Sequence, residues 1–357
     1  MGNVRFFEHG FCYACTNSNK RMIVKMEGHM TVKNENIENA YNKAIVNIKI
    51  VGAGGGGTSV LKSLAANELF DGIEMVAINT DSRALNGLSR WRISAIQVGN
   101  NITNGYGTGG DMKKGEMAAL QDENILREMM QNINMLFITA GLGGGAGSGI
   151  APVVAKLARE QGVLSVAIVT MPFSFEGCKR NRTAVASLNE LKKEVDALIV
   201  IQNDKLMTLP EAKQLTISNA FKLTDSVLER AVTLITKIIM TTGDVNIDFA
   251  DISTILRQSQ SSDAVFSVGV SEKGDVAEAL EKACNSPLLK RSVKGAQGAI
   301  LYIIGADDMS MYDINTAIMK LKAEMTDAAN IIWGYMGTPD NAGMVEVMLI
   351  ATDFVDC

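Results

Sequence analysis

The chain has few cysteines, no long apolar run and no excess of positive charge. Its five cysteines, at positions 12, 15, 178, 284 and 357, are an odd number scattered over 357 residues. A disulfide framework is therefore not expected, and reduced thiols fit a cytoplasmic setting. No apolar stretch reaches the roughly 18 residues needed to cross a bilayer, and the N-terminus has no charged segment leading into an apolar core and cleavage site. The expectation is a cytoplasmic protein without direct membrane contact. A net charge of -5 argues against a general nucleic-acid binder. Neither an internal repeat nor a low-complexity linker is present. With 47% hydrophobic and 20% charged residues the composition excludes disorder as the main state, and 357 residues predict two domains plus an extension.

Residues 1–46 read as an N-terminal extension, irregular in pattern, with one helix expected near Glu38 to Ile45. Cys12 and Cys15 form C-x-x-C there, flanked by His9 and His29. The ligand count would allow zinc, but the spacing matches no recognised module, and an arm without metal is expected.

From Asn47 the pattern changes. IKIVGAGGGG is an apolar strand running into glycines, followed by the helical spacing of LKSLAANEL. EMVAINTD, MLFITAG, LSVAIVTMPF and ALIVIQND continue as strands, with helices near 113–131, after the second glycine cluster, and through TAVASLNELKKEV. Near-continuous apolar strands alternating with amphipathic helices predict an α/β, Rossmann-like parallel sheet over residues 47–212, with ligands at the carboxyl ends of its strands. Residues 213–243 read as a central helix, apolar on more than one face and so buried between two bodies, with Gly243 as its C-terminal cap. GDVNIDFAD follows, an Asn and three carboxylates among apolar residues. The remainder, to residue 357, reads as a smaller α+β domain, with strands AVFSVGVS, GAILYIIGA, NIIWGYMG and MVEVMLIATDF and helices at 275–284 and 313–325.

Three glycine-rich loops stand at strand ends. Gly52, Gly54 and Gly57 have the G-x-G-x-x-G spacing of dinucleotide-binding turns, and Asp81 ends a strand near where such folds hold a ribose, so a nicotinamide enzyme is one reading. GLGGGAGSG at 141–149 is more specific. It lies between a strand and a helix, where successive N–H groups form a nest for a di- or triphosphate. GYGTGGD at 105–111 is the third, and three converging nests suit a triphosphate better than a nicotinamide.

ITAGLGGGAGSGIAPVVAKLAREQG resembles the signature of the tubulin and FtsZ superfamily, most closely that of FtsZ. VAINTDSRAL, TMPFSFEGCKR, ALIVIQNDKL, GDVNIDFADISTIL, NSPLL and TDAANIIWG resemble FtsZ segments in the same order over about residues 47 to 354. The resemblance implies a GTP-binding and GTP-hydrolysing domain, a central helix, a second α+β domain, and head-to-tail self-assembly into filaments. Carried over by position, it implies phosphate contacts from Gly54, Gly55, Gly56, Thr108, Gly109, Gly143, Gly144, Gly145, Ala146, Gly147 and Ser148, with Asp81 in the acidic strand-end motif. It places Glu176 and Arg180 near the ribose, Asn203 and Asp225 on the base, and Phe221 stacked upon it. A carboxylate at 225 would accept from guanine N1–H and the exocyclic amine, donors that adenine lacks. Ala146 departs from the usual threonine, and Ser59 stands near a usual asparagine, so affinity and turnover are the properties in question.

With Asp225 on the base, the eighteen residues to Gly243 span roughly 27 Å of helix, so the acids beyond cannot reach a phosphate on the same chain. One reading makes Asp248 and Asp251 caps of the helix that follows. The resemblance instead implies that Asn246, Asp248 and Asp251 enter the nucleotide pocket of an adjoining subunit, the acids orienting the attacking water. Magnesium on the phosphates is expected, with no protein ligands assignable. Because the sequence stops at ATDFVDC, without the tail that FtsZ proteins use for membrane-tethering partners, such partners are not expected. A nucleotide-regulated filament or assembly modulator with weak or no GTPase activity is the alternative to a polymerising GTPase, and Ala146 is the feature that favours it.

Overall fold

A computed structural model describes the backbone of residues 4–6, 11–15, 21–25, 46–208, 216–258, 262–338 and 343–354. The chain divides into two compact units, Met1–Ile45 and Val46–Cys357. In the first, β1 (Val4–Phe6), β2 (Phe11–Cys15) and β3 (Arg21–Lys25) pair antiparallel in the order β1-β2-β3. The expectation of an irregular arm is corrected here: VRF, FCYAC and RMIVK are short but rich in residues that favour a pleated surface. Cys12 and Cys15 fall in β2, whereas His9, His29 and the helix expected near Glu38 to Ile45 lie outside the described residues.

The second unit opens with β4 (Ile48–Ala53), α1 (Gly54–Leu64), β5 (Glu74–Asn79), α2 (Ser82–Leu85), β6 (Ile93–Gln97) and α3 (Asn100–Thr103). It continues with α4 (Met112–Gln121), α5 (Glu123–Met129), β7 (Met135–Gly141), α6 (Gly145–Glu160), β8 (Leu164–Met171), α7 (Cys178–Glu194), β9 (Ala197–Gln202) and α8 (Asn203–Leu206). The long α9 (Ile217–Met240) leads to α10 (Phe249–Gln258), β10 (Asp263–Ser271), α11 (Val276–Cys284), β11 (Ala296–Gly305), α12 (Met311–Glu324), β12 (Asn330–Gly337) and β13 (Val345–Phe354). The helix expected over 113–131 is two helices that break at Asp122, whose carboxylate turns away to accept from Gly99 N at 2.6 Å.

Among the described residues, the strands from β4 onward form one sheet of ten, ordered β12-β11-β13-β10-β9-β8-β7-β4-β5-β6. Neighbours from β6 to β10 are parallel, and β13 alone runs antiparallel to both its partners, so the expected α/β and α+β parts share one mixed sheet. The join is narrow, with Asp263 opposite Leu198 and Ala264 opposite Ile199. Alternation along β4 sends Ile48 and Ile50 to one face and Val51 and Ala53 to the other, as a strand buried on both faces requires. On the first face Val60, Leu61 and Leu64 of α1 meet α9; on the second lie α4, α5, α6 and α7. A third cluster packs α11 and α12 on the C-terminal strands.

α9 is buried as its apolar pattern predicts. Leu228, Val232, Ile235 and Ile238 join a cluster that includes Ile168 and Ile199 from one half of the sheet and Ile300, Met348 and Ile350 from the other. Thr216 caps its start by accepting from Asn219 N at 3.3 Å, while residues 209–215 lie outside the described set. Gly243 is not its cap, because the helix ends at Met240 and Thr241 continues extended. Glycine is needed there for another reason: a Cβ at 243 would stand 2.5 Å from the carbonyl oxygen of Tyr335.

The six strands β6-β5-β4-β7-β8-β9 repeat the 3-2-1-4-5-6 order of a doubly wound sheet. The strands stay parallel, but the order in which they are added switches sides between β4 and β7, which opens a crevice beyond their carboxyl ends. The first two glycine loops follow these two strands.

Candidate functional site: a glycine-lined crevice and a distant acidic loop

The loops close on each other through backbone alone. A Cβ at Gly54, whose φ is +68°, would meet Gly147 N at 2.6 Å, and one at Gly56 would meet Gly141 N at 3.0 Å. Gly55 and Gly144 have open space where a Cβ would stand. The third loop packs on the second, since a Cβ at Gly145 would lie 2.1 Å from Thr108 Oγ1 and 2.6 Å from Asp111 O. Asp111 fixes that loop by capping α4, accepting from Lys113 N at 2.9 Å and Lys114 N at 3.3 Å. Gly54, Gly55, Gly56, Thr108, Gly109, Gly143, Gly144, Gly145, Ala146 and Gly147 are thus brought together, with Ser59 exposed on the second turn of α1.

Ser148 is in the same cradle but faces inward. Fully buried, its Oγ accepts from Gly143 N at 2.8 Å, so this hydroxyl holds the loop and occupies one of the nest's N–H donors. Pro152 has no N–H to offer the Ser148 carbonyl four residues earlier, and Ser187 Oγ of α7 donates to it instead at 2.7 Å. Asp81 also works within the fold. It caps α2 through Arg83 N at 2.9 Å and pairs with the Arg83 guanidinium at 3.2 Å, which holds its carboxyl below the usual carboxylate range.

Beside the cradle lies a pocket of about 340 Å³ lined by Gly109, Gly110, Gly143, Gly144, Gly145, Lys179 and Arg180. Glycine backbones supply the N–H groups, and the first turns of α6 and α7 bring their positive dipole ends to the pocket. The arrangement suits an anion of phosphate type. Gly110 and Lys179 were not singled out by sequence reading, although Lys179 sits inside the quoted segment FEGCKR.

One wall is built from side chains. Glu176 Oε1 accepts from Phe173 N at 2.9 Å while its other oxygen pairs with Arg180. Buried Phe173 stacks on Phe175 with centroids 4.9 Å apart, and meets Phe221 edge-on at 5.5 Å. Asp204 accepts from both the backbone and the hydroxyl of Ser174, which ties α8 to this wall. Next to it Asn203 is 4% exposed, and its Oδ1 is buried without a hydrogen-bond partner. One turn beyond Phe221, burial pushes the Asp225 carboxyl up to about 6. An orphaned carbonyl, a desolvated carboxylate and a 40% exposed phenyl ring together fit a planar group that carries N–H donors.

The acidic loop lies elsewhere. Fifteen residues of helix separate Asp225 from Met240, roughly 22 Å of rise. Val245 and Tyr335 exchange backbone hydrogen bonds of 3.1 and 3.0 Å, Asp244 Oδ2 accepts from Gly337 N at 2.9 Å, and Asn246 Oδ1 accepts from Gly243 N at 2.7 Å. Ile247 is buried, which turns Asp248 outward. α10 starts at Phe249, so Asp251 stands inside its first turn rather than at its cap. Asp248 and Asp251 are exposed, and among the described residues neither carboxylate has a hydrogen bond or ion pair. Asn246, Asp248 and Asp251 are therefore not brought to the glycine cradle of the same chain. No group of three or more His, Cys, Asp or Glu side chains forms a metal cage among the described residues.

Comparisons with known proteins find the same fold. The family model for the Tubulin/FtsZ family, GTPase domain, matches residues 47–210, and that for the FtsZ family, C-terminal domain, matches residues 262–355. An empty FtsZ dimer from M. jannaschii is 34% identical with a TM-score of 0.79, covering 88% of this chain and 90% of that one. A second FtsZ structure from M. jannaschii, that of a point mutant, is 33% identical with a TM-score of 0.78, covering 89% and 94%. The GTPγS-bound CetZ2 protofilament from Haloferax volcanii shares the fold, at 21% identity and a TM-score of 0.73, covering 87% and 94%.

Proposed function

Because the chain belongs to the tubulin/FtsZ family, we propose that it binds GTP in the glycine-lined crevice, assembles head to tail, and hydrolyses GTP where two subunits meet. Residues 47–212 would form the nucleotide-binding domain, 213–243 the central helix, and 244–357 the catalytic loop with the C-terminal domain, after an extension over 1–46. The observation that carries the reading is the pair of exposed carboxylates at 248 and 251, without partners among the described residues and set a helix length away from a wall suited to a base. Neither end is a complete hydrolytic site.

At the nucleotide end the backbone N–H groups of Gly144, Gly145, Ala146 and Gly147 hold phosphate oxygens. Guanine stacks on Phe221 and donates N–H groups to Asn203 Oδ1 and the Asp225 carboxylate, while Glu176 and Arg180 face the ribose. A magnesium ion, when bound, neutralises charge on the phosphates. At the other end Asn246 holds the loop through Gly243, and Asp248 and Asp251 orient water for in-line attack on the nucleotide of the adjoining subunit. Positioning and charge stabilisation provide most of the catalysis in such a transfer. The M. jannaschii dimer and the H. volcanii protofilament support self-association as the family's habit. A contact between unlike ends that does not close on itself yields an open filament.

Sedimentation with GTP or GDP while phosphate release is followed tests the reading. Release per subunit should rise steeply above a threshold concentration; release proportional to protein at every concentration would make the site self-contained. Ala146 supports a second reading, a nucleotide-regulated filament with weak or no GTPase activity, for which GTP-dependent sedimentation without phosphate release is the signature. Imaging of the tagged chain assigns the cellular role. A ring at the division plane supports cell division, and other arrays indicate another cytoskeletal task.

A further inference from the structure

The pocket beside the glycine cradle has two cations on its wall, and they differ in what they have left to give. Arg180 is paired with Glu176, whose carboxylate is itself held by Phe173 N, so its charge already has a counter-charge in the same chain. Lys179, its neighbour in the first turn of α7, is exposed, and its ammonium has no hydrogen bond or ion pair among the described residues. The remaining lining is glycine: Gly143, Gly144 and Gly145 where α6 begins, and Gly109 and Gly110 opposite. The hydroxyls near this point are withdrawn. Ser148 is buried and engaged with Gly143, Thr108 is 7% exposed, and position 146 is alanine. Backbone N–H groups bind any phosphate placed here but carry no full charge to balance an added one. Lys179 is the wall's uncommitted charge.

We infer that Lys179 is the specificity-determining residue for the terminal phosphate, so that its ammonium distinguishes nucleoside triphosphate from diphosphate in this chain. The inference rests on the proposed nucleotide site. An ammonium on a flexible four-carbon stem acts on phosphate as a mobile point charge and can follow the terminal group, unlike a guanidinium already locked in a carboxylate pair. Its substitution therefore acts selectively. Diphosphate, held by the glycine N–H groups, is untouched, whereas triphosphate loses one charge-assisted contact.

The experiment is equilibrium binding of GTPγS and GDP to the full chain, wild type, Lys179→Gln and Lys179→Arg, at two salt concentrations. Lys179→Gln should weaken GTPγS about tenfold, in the range of one charge-assisted hydrogen bond, and leave GDP within about twofold. Lys179→Arg should recover most of the loss, and the salt dependence of the GTPγS-to-GDP ratio should fall in the Gln variant alone. Unchanged GDP binding also reports an intact fold. Equal weakening of both nucleotides, or of neither, overturns the role of Lys179 while the nucleotide site stands. A wild-type chain that binds neither nucleotide overturns both.

Discussion

The two ends of the molecule solve opposite problems. The crevice is made of backbone, with glycines at 54, 56, 145 and 147 so close that a single Cβ would strike main-chain atoms, and its side-chain hydroxyl at 148 turned inward. The loop at 243–251 is made of side chains, with Asp244 and Asn246 turned to the protein and Asp248 and Asp251 turned to solvent. One end offers backbone donors, and its acids at 111 and 176 are engaged within the fold. The other carries acids and has nothing of its own for them to act on. The difference teaches why the proposed hydrolysis is assigned to a contact between subunits rather than to a single chain.

The comparison can be broken most directly at Asp248. Asp248→Ala should lower GTP hydrolysis by about 10² to 10⁴ while GTP binding stays near wild type, as for loss of a positioned acid or base. Mixing this variant with a chain that cannot bind nucleotide tests the division of labour: activity should not return at any interface where the variant supplies the loop, and should appear where the binding-deficient chain supplies it. Phosphate release at wild-type rate from Asp248→Ala alone would end the assignment.

Gly145→Ala attacks the other end. The new methyl would lie 2.1 Å from Thr108 Oγ1 and 2.7 Å from Asp111 N, so the two loops must part. A stability loss of about 1 to 3 kcal/mol in denaturant unfolding is expected, with a weakened nucleotide affinity. Full affinity with unchanged stability would show that the loops are not mutually braced.

The pH dependence sharpens the base wall. Burial raises the Asp225 carboxyl from 3.8 to about 6, so in the nucleotide-free fold the neutral form predominates only below that pH. Stability from this group is fully present below about 3.8 and is lost as pH rises through about 6. Guanine recognition runs the other way, because only the ionised carboxylate accepts two N–H groups. GTP affinity should fall by up to about tenfold per unit below pH 6, and this dependence should vanish in Asp225→Asn. The smallest effect is expected at Asp244. Asp244→Asn keeps an oxygen for Gly337 N and should leave hydrolysis within about twofold, in contrast to its neighbour four residues on.

Much of this architecture was legible in the sequence, and the unread parts share a cause. Strand alternation, the glycine loops and the buried central helix announce themselves locally, because period and residue type are local properties. The seam between β9 and β10 rests on two facing residue pairs and leaves no trace in either strand's pattern. The role of Gly243 depends on Tyr335, ninety-two residues away, and so reads from sequence as a cap. The sheet in the first unit was hidden because polar clusters separate three short apolar runs. At the site, the motifs marked residues that converge but not their orientation: Ser148 and Asp81 bond inward, and Lys179 differs from its neighbour only because Arg180 is paired.

The narrow seam has a consequence for how the second unit comes apart. Two residue pairs are a slender bond between two halves of a sheet, and alone they would let each half melt at its own temperature. α9 prevents this, since its apolar residues belong to a single cluster drawn from both halves. Opening either half exposes the same helix face, so the unit is expected to lose heat-stable structure in one cooperative step. The helix that separates the two functional ends is, thermally, what makes them one body.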